Sequence, residues 1–258
     1  MIPVYSTWLL HKELAEKKIK FPEALEFIAR KLDAVAVEIP RTTYPDWSPA
    51  GVRELKRLLH KNGLFCAAVA AQNHFNCKTH EERRREVALT KDFVDIGQYL
   101  GASVINIFHA GWGDREQGRR LKAEMLECLK DVVAYAETRA MILAVEAHGP
   151  LTDNAKEFHE FFAACPSEYL KINLDTGNMY EGAEGNLQLV QYTAHVHVKP
   201  RYQDLQGQWK DSEVVKVLTA LKKTGYRGTV TMEEVDGDPI ENSPKAFAEF
   251  KKMLAGLS

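Results

Sequence analysis

The chain has 258 residues and a formal net charge of −2, with 45% hydrophobic and 27% charged residues. These proportions are close to globular averages and predict neither disorder nor a membrane span, and the lysines and arginines form no basic stripe suited to a nucleic acid. A chain of this length can fold as one unit when strands and helices alternate in a barrel, so we expect a single barrel domain over 1–258.

The cysteines and the N-terminus indicate the compartment. The four cysteines show no CxxC spacing and no framework typical of a small disulfide-rich domain, which favours reduced thiols. The first residues acquire charges almost at once and lack the pattern of a secretory signal. We therefore expect a cytoplasmic protein, and the sequence leaves its oligomeric state open, with a homo-oligomer as one option.

Short β-branched runs alternate with longer segments of helical periodicity along the whole chain. Strands are predicted, in order, in IPVYS, DAVAVEI, LFCAAVA, SVINIF, MILAVE, YLKINLD, AHVHVK and GTVTMEE. A helical segment follows each of them, and the one after the sixth strand is short and interrupted by glycine. Because no GxGxxG fingerprint follows the first strand, this α/β pattern favours a closed parallel (β/α)8 TIM barrel over an open doubly wound sheet.

Strands five to eight each end near a side chain that can bind a metal ion, namely Glu146, Asp175, His197 and Glu233. In a parallel barrel the carboxyl ends of the strands meet at the face where active sites lie. Three carboxylates gathered there repel one another unless a cation is present. Ligation by oxygens and one imidazole suits Mn, Co or Mg, with Zn also compatible, so we expect one divalent metal ion in a metal-dependent enzyme.

Each of these residues also has a simpler interpretation. Glu146 alone could be a charged residue entering a loop, and Asp175 begins a turn that caps its strand. The two-residue period of a strand puts His195, His197 and Lys199 on one face, where we expect His195 to be a hydrogen-bonded core histidine. The same period places Glu233 and Glu234 on opposite faces and does not choose between them.

The order and spacing of these motifs resemble the xylose isomerase-like barrel superfamily of sugar phosphate isomerases and epimerases. The similarity is clearest in the last half of the chain, where an H-x-K strand contains His197 and the turn Tyr226-Arg227-Gly228 precedes Glu233. In that family the final ligand lies five residues after such a glycine, which selects Glu233 over Glu234. The resemblance implies the four ligands named above and a small-molecule carbohydrate or polyol as substrate.

The chain also departs from the family pattern. Many members carry Asp-x-x-His, whereas this chain has Asp175-Thr176-Gly177-Asn178, so we expect Asn178 to bind a sugar hydroxyl through its amide. Ketose 3-epimerases have a glutamate and an arginine at the positions of Thr152 and Gln203. These differences count against a plain ketose epimerase, and Arg201 is a candidate replacement for the missing arginine.

Further residues are candidates for the substrate pocket. His109, at the end of strand four, is similar to a histidine of apurinic endonuclease IV relatives, but the other ligands and a basic DNA-binding face are missing. We therefore predict His109 as a substrate contact, with Trp112 as an apolar wall. Glu38, which closes strand two, and His74, which follows strand three, are predicted to line the same pocket.

His148 forms a Glu-x-His pattern with Glu146. Within the superfamily this pattern resembles members that remove a proton next to a carbonyl, including inosose dehydratases and enzymes that cleave 3-keto-glycosides. An imidazole exchanges protons near neutral pH. The simpler alternative is a loop histidine ahead of Gly149 and Pro150.

Together these features predict an isomerase or epimerase that acts on a sugar, a sugar phosphate or a related polyol carbonyl by proton transfer through an enediolate. Glu146 and Glu233 are the candidate base and acid, and Lys199 would stabilise the enediolate oxygen or hold a phosphate. The first alternative is a metal-dependent dehydratase or lyase that uses His148. The second is a barrel that binds a metal and a sugar without turnover.

Overall fold

The structure is a computed structural model that describes residues 1–110, 115–149 and 151–257. Its strands in these ranges are β1 (Ile2–Ser6), β2 (Ala36–Pro40), β3 (Phe65–Ala70), β4 (Val104–Ile107), β5 (Leu143–Glu146), β6 (Leu170–Asp175), β7 (Thr193–Val198), β8 (Arg201–Gln203), β9 (Trp209–Asp211) and β10 (Thr229–Met232). All except β8 and β9 form a closed parallel barrel in the order β1, β10, β7, β6, β5, β4, β3, β2. The predicted TIM barrel is therefore confirmed.

Helices separate the strands and surround the barrel. Within the described residues they are α1 (His11–Ala15), α2 (Phe21–Arg30), α3 (Pro49–Lys61), α4 (His80–Leu100), α5 (Arg115–Arg120), α6 (Lys122–Thr138), α7 (Ala155–Ala164), α8 (Gly182–Leu189), α9 (Val214–Lys223) and α10 (Pro239–Ala255). In the part of the chain that the structure describes, no helix combines the length and the apolar character needed to cross a membrane.

Local side-chain chemistry sets where several helices begin. Ser48 precedes α3 and accepts a hydrogen bond from the Gly51 N–H, while Asn154 does the same for Glu157 at the start of α7. Asp238 accepts hydrogen bonds from two amides of the first turn, so α10 starts at Pro239 and continues through an internal proline.

An antiparallel hairpin made of β8 and β9 follows β7 and was not predicted from the sequence. Its strands have three residues each, too few to show a two-residue period. The hairpin carries the exposed side chains of Leu205 and Trp209. It lies at the carboxyl-terminal side of β7, and therefore at the end of the barrel where the candidate site is found.

Most apolar side chains pack between the barrel and its helices. Two small apolar clusters on the barrel strands are separate from this core. Nearer the carboxyl ends of the strands, the buried residues are polar, and they include Glu38, Asn106, Asn173, His195 and Thr231. Barrels of this type are usually filled by branched apolar residues. Buried polar groups need partners, so this layer is organised by hydrogen bonds.

Candidate metal centre

The four predicted ligands lie together at the carboxyl ends of the barrel strands. Glu146 and Asp175 are the last residues of β5 and β6, His197 is the next to last of β7, and Glu233 directly follows β10. One potential ligand atom of each residue lies within 4.8 Å of the others. The first three side chains are buried, and that of Glu233 is 11% exposed.

The imidazole of His197 faces the three carboxylates. Its Nδ1 atom lies 3.5 Å from Glu146 Oε2, 3.7 Å from Asp175 Oδ2 and 3.2 Å from Glu233 Oε2. This buried nitrogen makes no hydrogen bond of good geometry within the described residues. A buried polar atom without a partner is costly, and here it points at a group of oxygens. The donor set is that of a divalent cation with oxygen and imidazole ligands.

Two side-chain cations balance part of the carboxylate charge. Burial alone would lower the pKa of His197, but the neighbouring carboxylates, above all that of Glu233, raise it well above its usual value. Lys199 forms ion pairs with Asp175 and, at 2.8 Å, with Glu233. Burial alone would raise the pKa of Glu233, but His197 and Lys199 hold it below its usual value. The Glu233 carboxylate therefore stays ionised near neutral pH.

Three side-chain amides orient the carboxylates. Asn106 Nδ2 donates to Glu146 Oε2 at 2.7 Å, and Asn173 Nδ2 lies 3.4 Å from the same oxygen. Asn178 Nδ2 donates to Asp175 Oδ2 at 2.9 Å and to Glu146 Oε1 at 3.2 Å. Sequence reasoning missed Asn106 and Asn173. The only signal was their position, since each lies an even number of residues before an inward-facing side chain on its strand.

Glu38 lies beneath the carboxylates as a fully buried side chain. One of its oxygens is 2.8 Å from His197 Nε2 and 3.3 Å from His195 Nε2. Burial would raise the pKa of Glu38, but the two imidazoles hold it well below its usual value. The residue predicted to line the substrate pocket therefore also contacts the ligand histidine.

A cavity of about 310 Å³ opens onto this group. Its lining includes six of the predicted residues, namely Glu38, Glu146, His148, Asn178, Lys199 and Glu233. The remaining wall is formed by Trp8, Pro40, Ala70, Gln72, Asn106 and Phe108. A larger cavity of about 540 Å³ lies on the outer surface between α4 and α6 and contains none of the candidate ligands.

The histidine candidates occupy different positions around this cavity. The ring of His148 stacks on Phe108, with centroids 3.9 Å apart. His74 is exposed near the rim, and its ring centroid lies 6.1 Å from that of Phe108. His109 is buried between Phe75 and Phe161 and does not line the cavity. Burial lowers the pKa of His109 to about 3, so a packing role replaces the predicted substrate contact.

Two further candidates do not join the site. Arg201 lies on the hairpin, where it pairs with Glu234 at 3.2 Å and lies over the ring of Trp209. It does not line the cavity, because β8 carries it away from the strand ends. The lining of this cavity therefore gives no support to the prediction that Arg201 replaces a substrate-binding arginine. Trp112, predicted as an apolar wall, lies outside the described residues.

A family model described as the xylose isomerase-like TIM barrel matches residues 27–255 of the chain. No curated protein matches. Several solved structures have the same fold. A D-psicose 3-epimerase from Clostridium cellulolyticum H10, solved with D-tagatose, is 19% identical, with a TM-score of 0.70 over 100% of this chain and 93% of that chain.

Two other solved structures extend the comparison. A probable 3-DHS dehydratase from Bacillus anthracis is 14% identical, with a TM-score of 0.76 over 97% of this chain and 99% of that chain. A xylose isomerase-like TIM barrel protein from Mycobacterium smegmatis in complex with magnesium is 13% identical, with a TM-score of 0.77 over 100% of this chain and 97% of that chain. At these identities the likeness concerns the fold.

Proposed function

Because this chain belongs to the xylose isomerase-like TIM barrel family, we propose that it is a divalent-metal-dependent isomerase or epimerase of a sugar, a sugar phosphate or a related polyol carbonyl. One observation carries the proposal. The ligand atoms of Glu146, Asp175, His197 and Glu233 lie within 4.8 Å of one another, and two of these residues, Glu146 and Glu233, line a cavity. The epimerase with the same fold supports the choice of chemistry.

The residues present fit a divalent cation. Three carboxylates surround His197 Nδ1, a nitrogen that lacks a hydrogen bond of good geometry within the described residues. Glu146, Asp175, His197 and Glu233 would hold the ion, and this donor set suits Mn, Co or Mg, with Zn also compatible. When bound, such a cation draws charge from the carbonyl oxygen of the substrate as the neighbouring C–H proton leaves.

The chain's own carboxylates would move that proton. Glu233 has a pKa held below its usual value, so it is ionised near neutral pH and can accept a proton. Glu146 belongs to β5 and Glu233 follows β10, so the two carboxylates reach the cavity from separate barrel strands. One would remove the proton and the other would return it, which inverts a carbon or moves a carbonyl. Lys199, held by its ion pairs, would supply positive charge beside the substrate oxygens.

The cavity suits a small polar substrate. Its volume of about 310 Å³ is near the lower end of the usual range for small-molecule sites, which starts at about 300 Å³. The half-exposed ring of Trp8 and the buried ring of Phe108 offer apolar faces, while Asn178 and Gln72 offer hydrogen bonds. Sugar rings have both an apolar face and hydroxyl groups, so we propose a carbohydrate or polyol as substrate.

The alternative function is elimination of water or an alcohol next to a carbonyl. The stacking of His148 on Phe108 favours it, because it holds an imidazole on the cavity wall two residues from Glu146. The probable dehydratase with the same fold is consistent with this chemistry. Elimination creates an unsaturated product that absorbs ultraviolet light, whereas isomerisation leaves the mass of the substrate unchanged.

The test is a screen of keto-sugars and keto-cyclitols with Mn²⁺-loaded protein in deuterated water, followed by proton NMR and mass spectrometry. The proposed function predicts deuterium at the carbon next to the carbonyl, and loss of this exchange in a folded Glu233→Gln variant. An ultraviolet-absorbing product would support elimination instead. Binding of metal and sugar without proton exchange would support a barrel that does not catalyse, and would contradict the proposal.

A further inference from the structure

Glu38 and His197 form a hydrogen bond beneath the proposed metal ligands. The Glu38 carboxylate comes from β2 and meets His197 Nε2 at 2.8 Å, on the side of the ring opposite to the other carboxylates. Both side chains are almost completely buried. The two nitrogens of one imidazole therefore face different groups, with Nε2 toward Glu38 and Nδ1 toward Glu146, Asp175 and Glu233.

The chemistry of these partners decides which nitrogen carries the proton. An ionised carboxylate only accepts hydrogen bonds, and a neutral imidazole has one donor and one acceptor nitrogen. In the singly protonated form of the ring, which is the form that can bind a metal ion, the bond between Glu38 and Nε2 therefore requires the proton to lie on Nε2. That leaves a lone pair on Nδ1, which is the form that a metal ion binds.

Asn173 also approaches His197 Nε2, at 3.1 Å through its amide nitrogen. Two donors facing each other would repel, but the two ends of an amide are interchangeable by a half turn. The Asn173 Oδ1 atom is buried without a hydrogen bond. Turned toward His197, that oxygen would accept from the Nε2–H, but the 3.4 Å contact of the amide nitrogen with Glu146 Oε2 would be lost. The shorter contact of Glu38 with Nε2, at 2.8 Å, therefore decides the tautomer.

Glu38 is itself held by a second histidine. His195 Nε2 lies 3.3 Å from Glu38, and the two nitrogens of His195 also meet the hydroxyls of Thr229 at 2.6 Å and Thr231 at 2.9 Å. The pairing of β2 with β3 shifts register between Val37 and Glu38, which marks a local irregularity at this residue. These contacts fix the carboxylate in the barrel interior.

We propose that Glu38 is a positioning residue that fixes His197 in the tautomer with the proton on Nε2, so that Nδ1 is directed at the cation. The hydrogen bond between the two side chains, and not only the negative charge of Glu38, contributes to the affinity for the ion. The inference rests on the proposed metal-dependent function and explains why a carboxylate is buried under the ligand histidine. Partners of this kind typically contribute about 10- to 100-fold to metal affinity.

Two variants separate contact from charge. Glu38→Asp keeps the charge but shortens the side chain by one carbon, so it loses the contact. Glu38→Gln loses the charge but keeps an oxygen that can accept from Nε2–H. Thr229→Val is the matched control, because it removes a buried hydroxyl from the same network without touching His197. Circular dichroism establishes that each variant is folded.

The measurements are calorimetric titration of metal-free protein with Mn²⁺ and long-range ¹H–¹⁵N NMR of the His197 imidazole in Zn²⁺-loaded protein. We expect Glu38→Asp to weaken Mn²⁺ binding by about 10- to 100-fold, Glu38→Gln to weaken it less, and Thr229→Val to stay near wild type. In wild-type protein the NMR spectrum should show the proton on Nε2, and in Glu38→Gln the Nε2 signal should shift.

Some results would contradict only the role of Glu38, and another would also contradict the proposed function. If Glu38→Asp binds Mn²⁺ as tightly as wild type while Glu38→Gln binds it weakly, the charge of Glu38 and not its contact with His197 sets the affinity, and the inference is wrong. An unchanged Nε2 signal in Glu38→Gln would also contradict the inference. These results would leave the proposed function standing. Absence of Mn²⁺ binding by the wild-type protein would overturn the metal-dependent function, and the role of Glu38 with it.

Discussion

The rings of Phe108 and His148 are stacked face to face, with centroids 3.9 Å apart and planes within 3° of parallel. Phe108 immediately follows β4 and His148 follows β5, so two neighbouring barrel strands present the pair on the cavity wall. The stack restricts the orientation of the imidazole. A proton-transferring group must be held in a defined geometry to be effective, so Phe108 should affect turnover through His148.

We predict that Phe108→Leu slows proton transfer on the substrate by about tenfold or more, because small displacements of a catalytic group have effects of that size. Phe250→Leu is the control, since Phe250 on α10 is equally buried but packs far from the cavity. Both variants should lose similar stability, measured by urea unfolding. Equal exchange rates in the two variants would show that the stack has no part in catalysis.

Asn178 donates hydrogen bonds to two carboxylates, those of Asp175 and Glu146. Asn178→Asp replaces this donor by a third negative charge of nearly the same shape. Like charges at this distance repel, so the variant should unfold at a lower temperature than wild type in the presence of a chelator. Saturating Mn²⁺ should narrow the difference, and a difference that metal leaves unchanged would argue against ion binding beside Asn178.

His109 should contribute a pH-dependent stability. Burial lowers its pKa to about 3 in the folded protein, whereas an unfolded chain has a histidine pKa near about 6.5. Between about pH 6.5 and pH 3, His109 binds a proton in the unfolded chain but not in the folded protein. Protonation therefore favours the unfolded chain, and the free energy of unfolding decreases as the pH falls from about 6.5 toward 3. The slope approaches about 1.4 kcal/mol per pH unit.

The measurement is urea unfolding of wild type and His109→Leu across this pH range. This variant replaces the ring that contacts Phe75 and Phe161 by an apolar side chain that does not titrate. As the pH falls, the free energy of unfolding of wild type should therefore decrease more than that of His109→Leu. A constant difference would mean that His109 is not buried in its neutral form.

Removal of the positive charge should lower turnover at Lys199 but not at Arg201. Lys199 contacts the carboxylates of the site, and Lys199→Met should lower kcat by about 100-fold or more, as expected for loss of a group that stabilises developing charge. Arg201 is 55% exposed and pairs with Glu234, so Arg201→Ala should change the stability by less than about 0.5 kcal/mol and leave turnover unchanged. A large loss of turnover in Arg201→Ala would return this residue to the substrate pocket.

The barrel and the group of four candidate ligands were accessible from the sequence because parallel strands bring their carboxyl ends together. Glu146, Asp175 and His197 each lie at or next to the end of a run with a two-residue period. That period does not distinguish Glu233 from Glu234, and the spacing from Gly228 was needed to choose. In the structure Glu233 faces His197, whereas Glu234 pairs with Arg201 on the outside.

Other contacts depend on packing that the sequence does not display. Counting from the inward-facing Asn106 puts Phe108 inward and His109 outward, so the ring that lines the cavity is Phe108 and not the neighbouring histidine. Asn106 and Asn173 carry no charge and stand out only once their strands are in register. The path of Arg201 depends on the hairpin, whose three-residue strands have no readable period.

The most direct measurement of the central claim is metal content, determined by elemental mass spectrometry on wild-type protein and an Asp175→Ala variant. Both are stripped with chelator, incubated with Mn²⁺, Co²⁺, Mg²⁺ or Zn²⁺ in turn, and freed of unbound ion. The proposed centre predicts about one ion per chain in the wild type, and loss of that ion in the folded variant. No bound ion in either protein, or equal amounts in both, would contradict the assignment of Glu146, Asp175, His197 and Glu233 as a metal centre.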